Sequence, residues 1–303
     1  MKVACVVLPS ILFCFGLGLF LGLSSQQRLT EEPAPSFAED AVSNHRHPDV
    51  DTDVELFINH WRNSTPYEGH GGLIERDILT PGDPLHPPKK GAVLKYLTAY
   101  KRAVLEPRSN TQPFKSDKEQ AFFYVMSGAG RLEGGGKKSG LEEGMAAVIP
   151  AGIEYRFYNP AEESLEMILV TEEIGPGFSP NKEISVGSYH DSKPDVGMHW
   201  AHIGRGFIYD VAPKFANPMG LAVVSIDSFD MAQPHVHGPG CEEIWCQLKG
   251  KSLLLFGNRL FWQEPGEAFL IPPNSRVPHG SINQTDGPML WLYLGNRHDK
   301  VKS

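Results

Sequence analysis

The 303-residue sequence is short of cysteine: it has four, and two of them, Cys5 and Cys14, lie in the first fourteen residues. The other two, Cys241 and Cys246, sit five apart in an apparent strand. Extended chain would hold them roughly 16 Å apart, whereas a disulfide needs Cα atoms within about 7 Å. Both are expected to be free thiols, which excludes a disulfide-built scaffold. Positive charge is also scarce: 28 Lys and Arg stand against 36 Asp and Glu, a formal net charge of −8 with no basic run. Phosphate binding needs a basic field, so nucleic acid is excluded as the main partner. No nucleophile elbow, phosphate loop or dinucleotide fingerprint is present, and GAGRLEGGG at 128–136 lacks the glycine order and the following helix of a nucleotide site.

Long hydrophobic runs are absent after the first 23 residues. Before that point Lys2 is followed by the uncharged run Val3–Leu23, which reads as a signal peptide or a membrane anchor over 1–25. Lys2 on the short side places the bulk of the chain outside the cytoplasm: secreted, periplasmic or membrane-anchored. The membrane would be met only through this segment. Residues 26–90 read as linker and lead-in. The part up to about 55 is polar and aperiodic, and His45 and His47 within it read as solvated linker. A short helical stretch is expected over Val54–Trp61, and Asn63-Ser64-Thr65 is a glycosylation sequon. His70, in a glycine-rich loop, reads as a turn residue.

Hydrophobic residues make up 41% of the chain, enough for a packed core, and 31 Gly with 25 Pro favour a turn-rich, all-β design. An internal repeat follows. Gly128 and Gly250 each close an apolar run; sixteen residues on stand Gly144 and Gly266, and six further on Pro150 and Pro272. Each copy ends in Asn, Asn159 and Asn283, the second after two extra residues. Hairpins are expected at GGGKKSG (134–140) and at Gly257-Asn258. Two tandem β domains result, 91–172 and 199–297.

The second copy carries the chemistry. His235 and His237, two apart in an extended segment, share one face. Glu243 begins the next strand and His279 lies downstream. Three imidazoles and a carboxylate suit a divalent first-row metal with open coordination positions. Gln233, Glu242, Trp245 and Gln247 are candidate pocket residues, while His199 and His202 read as structural or partner-facing.

HVH at 235–237, Glu243-(x)6-Gly250, Gly266-(x)5-Pro272 and His279-(x)3-Asn283 resemble the two motifs of the cupin superfamily, and the duplication resembles a bicupin. The match departs at the His237–Glu243 gap, one residue longer than usual. There Glu242 fits the count from His237, while Glu243 fits the count to Gly250 and the strand parity, and Glu243 is chosen. It departs again at Asn274, which stands in a glycine place and tolerates a left-handed conformation. The resemblance implies two jelly-roll barrels and one divalent ion (Mn, Fe, Ni or Zn) in the second. In the first copy Gly144-(x)5-Pro150 and Asn159 keep the frame, with Tyr155 in the His place and Ala121 in the Glu place. Asn110 and Gln112 stand near the HxH position. That copy is expected to bind no metal. The implied activity is that of a metal-dependent enzyme on a small oxygen-rich acid, enol or sugar, of dioxygenase, decarboxylase or isomerase type. The alternative is a non-enzymatic metal-containing binding protein for a sugar or acid. Monomer and homo-oligomer both remain open.

Overall fold

A computed structural model describes residues 53–197, 199–206 and 218–297. The apolar run Val3–Leu23 and the His45/His47 pair lie outside the described residues. Among the described residues no helix is long and apolar enough to cross a membrane.

The described chain is all-β, and short 3-10 turns are its only helical elements. Alternating burial drives this, since strands such as Tyr155–Asn159 and Ser252–Phe256 present every second side chain inward. Each barrel is two facing sheets. In the first, Met145–Ile149, Glu119–Ser127, Leu165–Glu173, Leu97–Leu105 and Leu73–Pro81 lie side by side; they face a sheet of Ser109–Asn110, Tyr155–Asn159, Ala129–Gly134 and Lys137–Glu142. In the second, Glu267–Leu270, Cys241–Lys249, Met289–Arg297, Pro218–Ile226 and Ile203–Gly206 face Arg259–Gln263, Ser252–Phe256 and His279–Asn283.

The repeat survives in detail. Ile149 pairs with Ala121 in the first barrel. At the matching place in the second, the Ile271 N–H donates to the Glu243 carbonyl at 3.0 Å. Gly144 and Gly266 both adopt φ near +90°. A Cβ on Gly266 would lie 2.5 Å from Trp61 Nε1, so only glycine fits there. The paired asparagines have one job. The Asn159 amide donates to the carbonyls of Leu105, Glu106 and Glu163, and Asn283 donates to those of Ile226, Asp227 and Gly287. Each clamps the turn that follows it to the end of a sheet strand, Leu97–Leu105 in the first barrel and Pro218–Ile226 in the second. Both hairpins form, the first with Gly135-Gly136 at its tip and the second with Gly257-Asn258.

The lead-in differs from the expectation of a spacer. From residue 54 it is structure: Val54–Phe57 is a 3-10 turn and Ile58–His60 is a strand, in place of one helix over Val54–Trp61. Ile58–His60 pairs antiparallel with Glu267–Leu270 of the second barrel, while Tyr67–Gly69 and Leu73–Pro81 extend the first. Apolar alternation was too short there to read as strand. The lead-in thus belongs to both barrels, and Ser185–Ser188, beyond the expected limit of 172, also pairs into the first. Val54, Phe57, Tyr100 and Phe122 share one buried cluster with Ile244, Phe256, Phe269 and Trp291, so the two barrels share a core. Each such side chain contributes about 1.5–3 kcal/mol by burial.

Candidate metal centre

Strand pairing brings the four sequence-predicted ligands together. His235 and His279 face each other across an isolated antiparallel bridge, each N–H bonded to the other's carbonyl at 3.1 and 3.0 Å. Glu243 follows on the adjoining strand, in line with Ile271. One donor atom from each of His235, His237, Glu243 and His279 lies within 4.8 Å of all the others. The site sits at one end of the second barrel, with the two ligands Glu243 and His279 almost fully buried.

The contacts among these groups are close but undirected. His237 Nε2 is 3.0 Å and His279 Nε2 3.6 Å from Glu243 Oε1. Yet both nitrogens are buried without a hydrogen-bond partner. Buried polar atoms are normally satisfied, so lone pairs that converge on a shared point without aiming at one another fit a common cation. The site's donor set, neutral nitrogen with one carboxylate, suits a divalent first-row ion. Outer contacts fix the ligands. His235 Nδ1 donates to the Gln233 carbonyl at 3.0 Å, which turns Nε2 inward. Trp245 Nε1 donates to Glu243 Oε1 at 2.7 Å.

Charge is balanced within the cluster. Burial works against a charged His237, but the closeness of Cys241 and of the Glu243 carboxylate outweighs it and pushes its pKa up to about 9. Burial likewise works against ionised Glu243, and its contacts with His237 and His279 reverse this and hold it far below the usual carboxylate range. Burial carries His235 down to about 4 and also lowers His279. Without an ion, then, one imidazolium offsets the carboxylate.

The candidate pocket residues divide. Trp245 and Gln233 line a cavity beside the ligands, of about 10 Å³. Gln247 does not: it is fully buried and its amide donates to the Lys249 carbonyl at 2.8 Å. Its parity is right, but it lies at the far end of the strand, where it closes a turn. Glu242 is turned away from the site. Its carboxylate accepts the backbone N–H groups of Lys95 and Tyr96 on Oε1 and of Leu97 on Oε2, at 2.7, 3.2 and 3.0 Å. It therefore ties the second barrel to the first, and the choice of Glu243 over Glu242 agrees with the ligand cluster. The glycine-place turn also differs: Ser275, not Asn274, takes the left-handed φ of 61°. Asn274 instead accepts the N–H groups of Arg276 and Val277 on Oδ1.

Two histidines that the sequence offered as structural stand at the site. His199 stacks on His235 at 4.2 Å between ring centroids, and His202 packs 5.8 Å from Trp245. Burial lowers the pKa of His202. Their spacing carries no ligand signature; only the return of the inter-barrel arm brings them here. Cys241 and Cys246 are buried and form no disulfide, as expected.

In the first barrel, Phe114 bridges Tyr155 just as His235 bridges His279. The Gly152 N–H donates to the Ser116 carbonyl where Ser275 donates to that of His237. Ala121 and Tyr155 thus occupy the Glu and His places, while Phe114 and Ser116 take the HxH places. Asn110 and Gln112 do not: Asn110 pairs with Tyr158, and the Gln112 N–H donates to the Gly71 carbonyl. A phenyl, a hydroxyl, a methyl and a phenol replace the ligand set. His70 lies against Phe114 and pairs with fully buried Glu75, which also binds Lys101 at 3.0 Å.

Residues 101–171 match the family model described as the cupin domain. No curated protein matches the chain. Among solved structures, a deletion variant of oxalate decarboxylase from Bacillus subtilis is similar at TM-score 0.58 and 16% identity, over 80% of this chain and 77% of that one. The oxalate decarboxylase–formate complex of Lactobacillus farciminis is similar at TM-score 0.58 and 16% identity, over 80% and 86%. Protein Ylba of E. coli is similar at TM-score 0.52 and 16% identity, over 78% and 96%. Likeness at such identities speaks to fold. The family match lies wholly in the first barrel, and the second repeats that barrel's register with the ligands added. Residues 101–171 carry a cupin domain, and the second barrel repeats its fold in tandem, with the candidate metal ligands gathered there.

Proposed function

We propose that the second barrel holds one divalent ion, Mn, Fe, Ni or Zn, through His235, His237, Glu243 and His279. On this reading the protein is an exported, metal-dependent enzyme acting on a small oxygen-rich acid, enol or sugar by decarboxylase, dioxygenase or isomerase chemistry. The observation that carries it is the convergence of four buried or half-buried donor atoms within 4.8 Å. The likeness to oxalate decarboxylases favours small acids as the first class to screen. When bound, such an ion polarises a coordinated oxygen as a Lewis acid or, if it is iron, supports dioxygen chemistry. The chain's own residues do the rest. Trp245 fixes the Glu243 carboxylate, the Gln233 carbonyl sets the His235 ring, and the wall of Trp245, Phe269 and Trp291 keeps bulk water away.

A second reading, a non-enzymatic receptor for a small acid or sugar, is favoured by one observation. Glu242, the nearest spare carboxylate, is engaged elsewhere, and the described lining of the cavity adds no further acid beside the ligands. Metal analysis of the purified protein tests the site: one ion per chain is expected, and none refutes it. A turnover screen of small acids and sugars, with and without chelator and in His237→Ala, separates the readings. Turnover abolished by both treatments supports the enzyme; binding without product supports the receptor. Amino-terminal sequencing of the protein recovered from cell fractions tests export and cleavage of residues 1–25.

A further inference from the structure

We infer that the cavity formed by His202 and Trp291 is a subsite for a hydroxyl group of the bound ligand, so that the site prefers small hydroxy acids to plain carboxylic acids. The inference rests on the metal centre proposed above and names the ligand class it would take.

His202 arrives from the arm between the barrels. A tight turn, with Ala201 at φ 61° and the His202 N–H bonded to the His199 carbonyl, places it just ahead of the strand Ile203–Gly206. The turn is tied to the ligand-bearing segment twice. The Gln233 N–H donates to the Trp200 carbonyl at 3.4 Å, and the Trp200 N–H donates to Gln233 Oε1 at 3.3 Å. His202 is held between Trp245 and His235, with 8% of its surface exposed.

The tautomer of His202 follows from one contact. Nδ1 lies 3.1 Å from the Trp200 carbonyl oxygen. A carbonyl only accepts, so Nδ1 carries the hydrogen and Nε2 of the neutral ring is a lone-pair acceptor. Nε2 has no hydrogen-bond partner among the described residues. Trp291, 2% exposed, lines the same cavity, and its indole N–H is buried without a partner. The cavity thus offers one unsatisfied acceptor and one unsatisfied donor. Its volume of about 10 Å³ has room for one water-sized group. A hydroxyl meets all three demands at once: it donates to His202, accepts from Trp291 and fits. A methyl or a hydrogen fits but leaves the Trp291 N–H buried and unpaired and gives His202 Nε2 no donor. Sites built to bond a hydroxyl discriminate strongly against the analogue without it.

The test uses the full chain loaded with manganese, with metal content measured first. Glycolate and acetate, which differ by one hydroxyl, are then titrated by calorimetry. Glycolate is expected to bind at least tenfold more tightly than acetate. In His202→Leu and in Trp291→Phe the ratio falls to within about twofold while metal content holds, and in His202→Gln, which keeps an acceptor, part of the preference returns. Metal-loaded wild-type protein that binds the two acids alike overturns the inference, whether or not the variants fold. A wild-type chain that takes up no metal overturns the proposed metal centre instead. Retention of the full preference in both His202→Leu and Trp291→Phe overturns the assignment to these residues.

Discussion

Replacing Glu242 with alanine removes the carboxylate that holds Lys95, Tyr96 and Leu97 of the first barrel to the second. Of the three N–H groups it accepts, that of Leu97 is in the buried interior, whereas Lys95 is exposed and Tyr96 half-buried. Water can therefore replace the partner at the last two. Leaving the Leu97 N–H unsatisfied costs about 1–3 kcal/mol, and the other two bonds lose about 0.5–1.5 kcal/mol each. Removal of a carboxylate from a buried place, where burial pushes its pKa up, gives some of this back. A net cost of about 2–4 kcal/mol follows. For a chain of this size each kcal/mol lowers Tm by about 2–4 °C, so a fall of about 5–15 °C is expected. The assay is thermal unfolding of Glu242→Ala beside Glu243→Ala, with bound metal quantified in each folded protein. Glu242→Ala should melt early and keep its metal; Glu243→Ala should lose it. A Glu242→Ala protein that melts within 1 °C of the parent and is empty of metal would refute the ligand assignment and the bracing role together.

Three further outcomes are expected. Trp245→Phe removes the N–H that orients Glu243 and should weaken metal binding by about 10–100-fold, read by competition with a coloured chelator, with unfolding little changed. Because His237 is raised to about 9, it is protonated at pH 7 without metal, so binding should release about one proton per ion; calorimetry in buffers of different ionisation enthalpy measures this, and no release refutes the charge balance described. Burial opposes ionised Glu75, but its contacts with His70 and Lys101 prevail and hold its pKa below the ordinary 4.5. A depressed folded value means stability present above pH 4.5 and lost as pH falls through the folded pKa. Glu75→Gln breaks this buried pairing and should cost about 3–5 kcal/mol at pH 7, and denaturant titrations should show the gap to wild type narrowing below pH 4.5.

The candidate cluster was legible because three of its relations are local. Two-residue parity put His235 and His237 on one face, and the glycine and proline intervals located His279. The count to Gly250 chose Glu243. Failures occurred where a contact joins distant segments. Asn110 and Gln112 look like worn ligands, but the first barrel keeps four residues between Ser116 and Ala121, so Phe114 and Ser116 hold those places. The second barrel's longer loop hid that spacing. Parity could not say how far along its strand Gln247 lies, nor that Glu242 faces the other barrel. Nothing in MHWAHIGRG says that its chain folds back over the site. Ile58–His60, three residues long, is a strand only because Glu267–Leu270 offers an open edge.

That short strand has a consequence for how the molecule is made. Its partner emerges about 200 residues later, which at about 5–20 residues per second is a delay of about 10–40 s on the ribosome. Through that interval Val54, Phe57 and Ile58 have no second barrel to cover them, and the edge they complete does not yet exist. The first barrel can close on its own strands, but the second closes only with a segment made before either. Genes that cut the protein between its barrels would therefore give a carboxy-terminal half with a bare sheet edge, prone to pair with other chains, and co-expression with a fragment containing residues 53–63 should rescue its solubility.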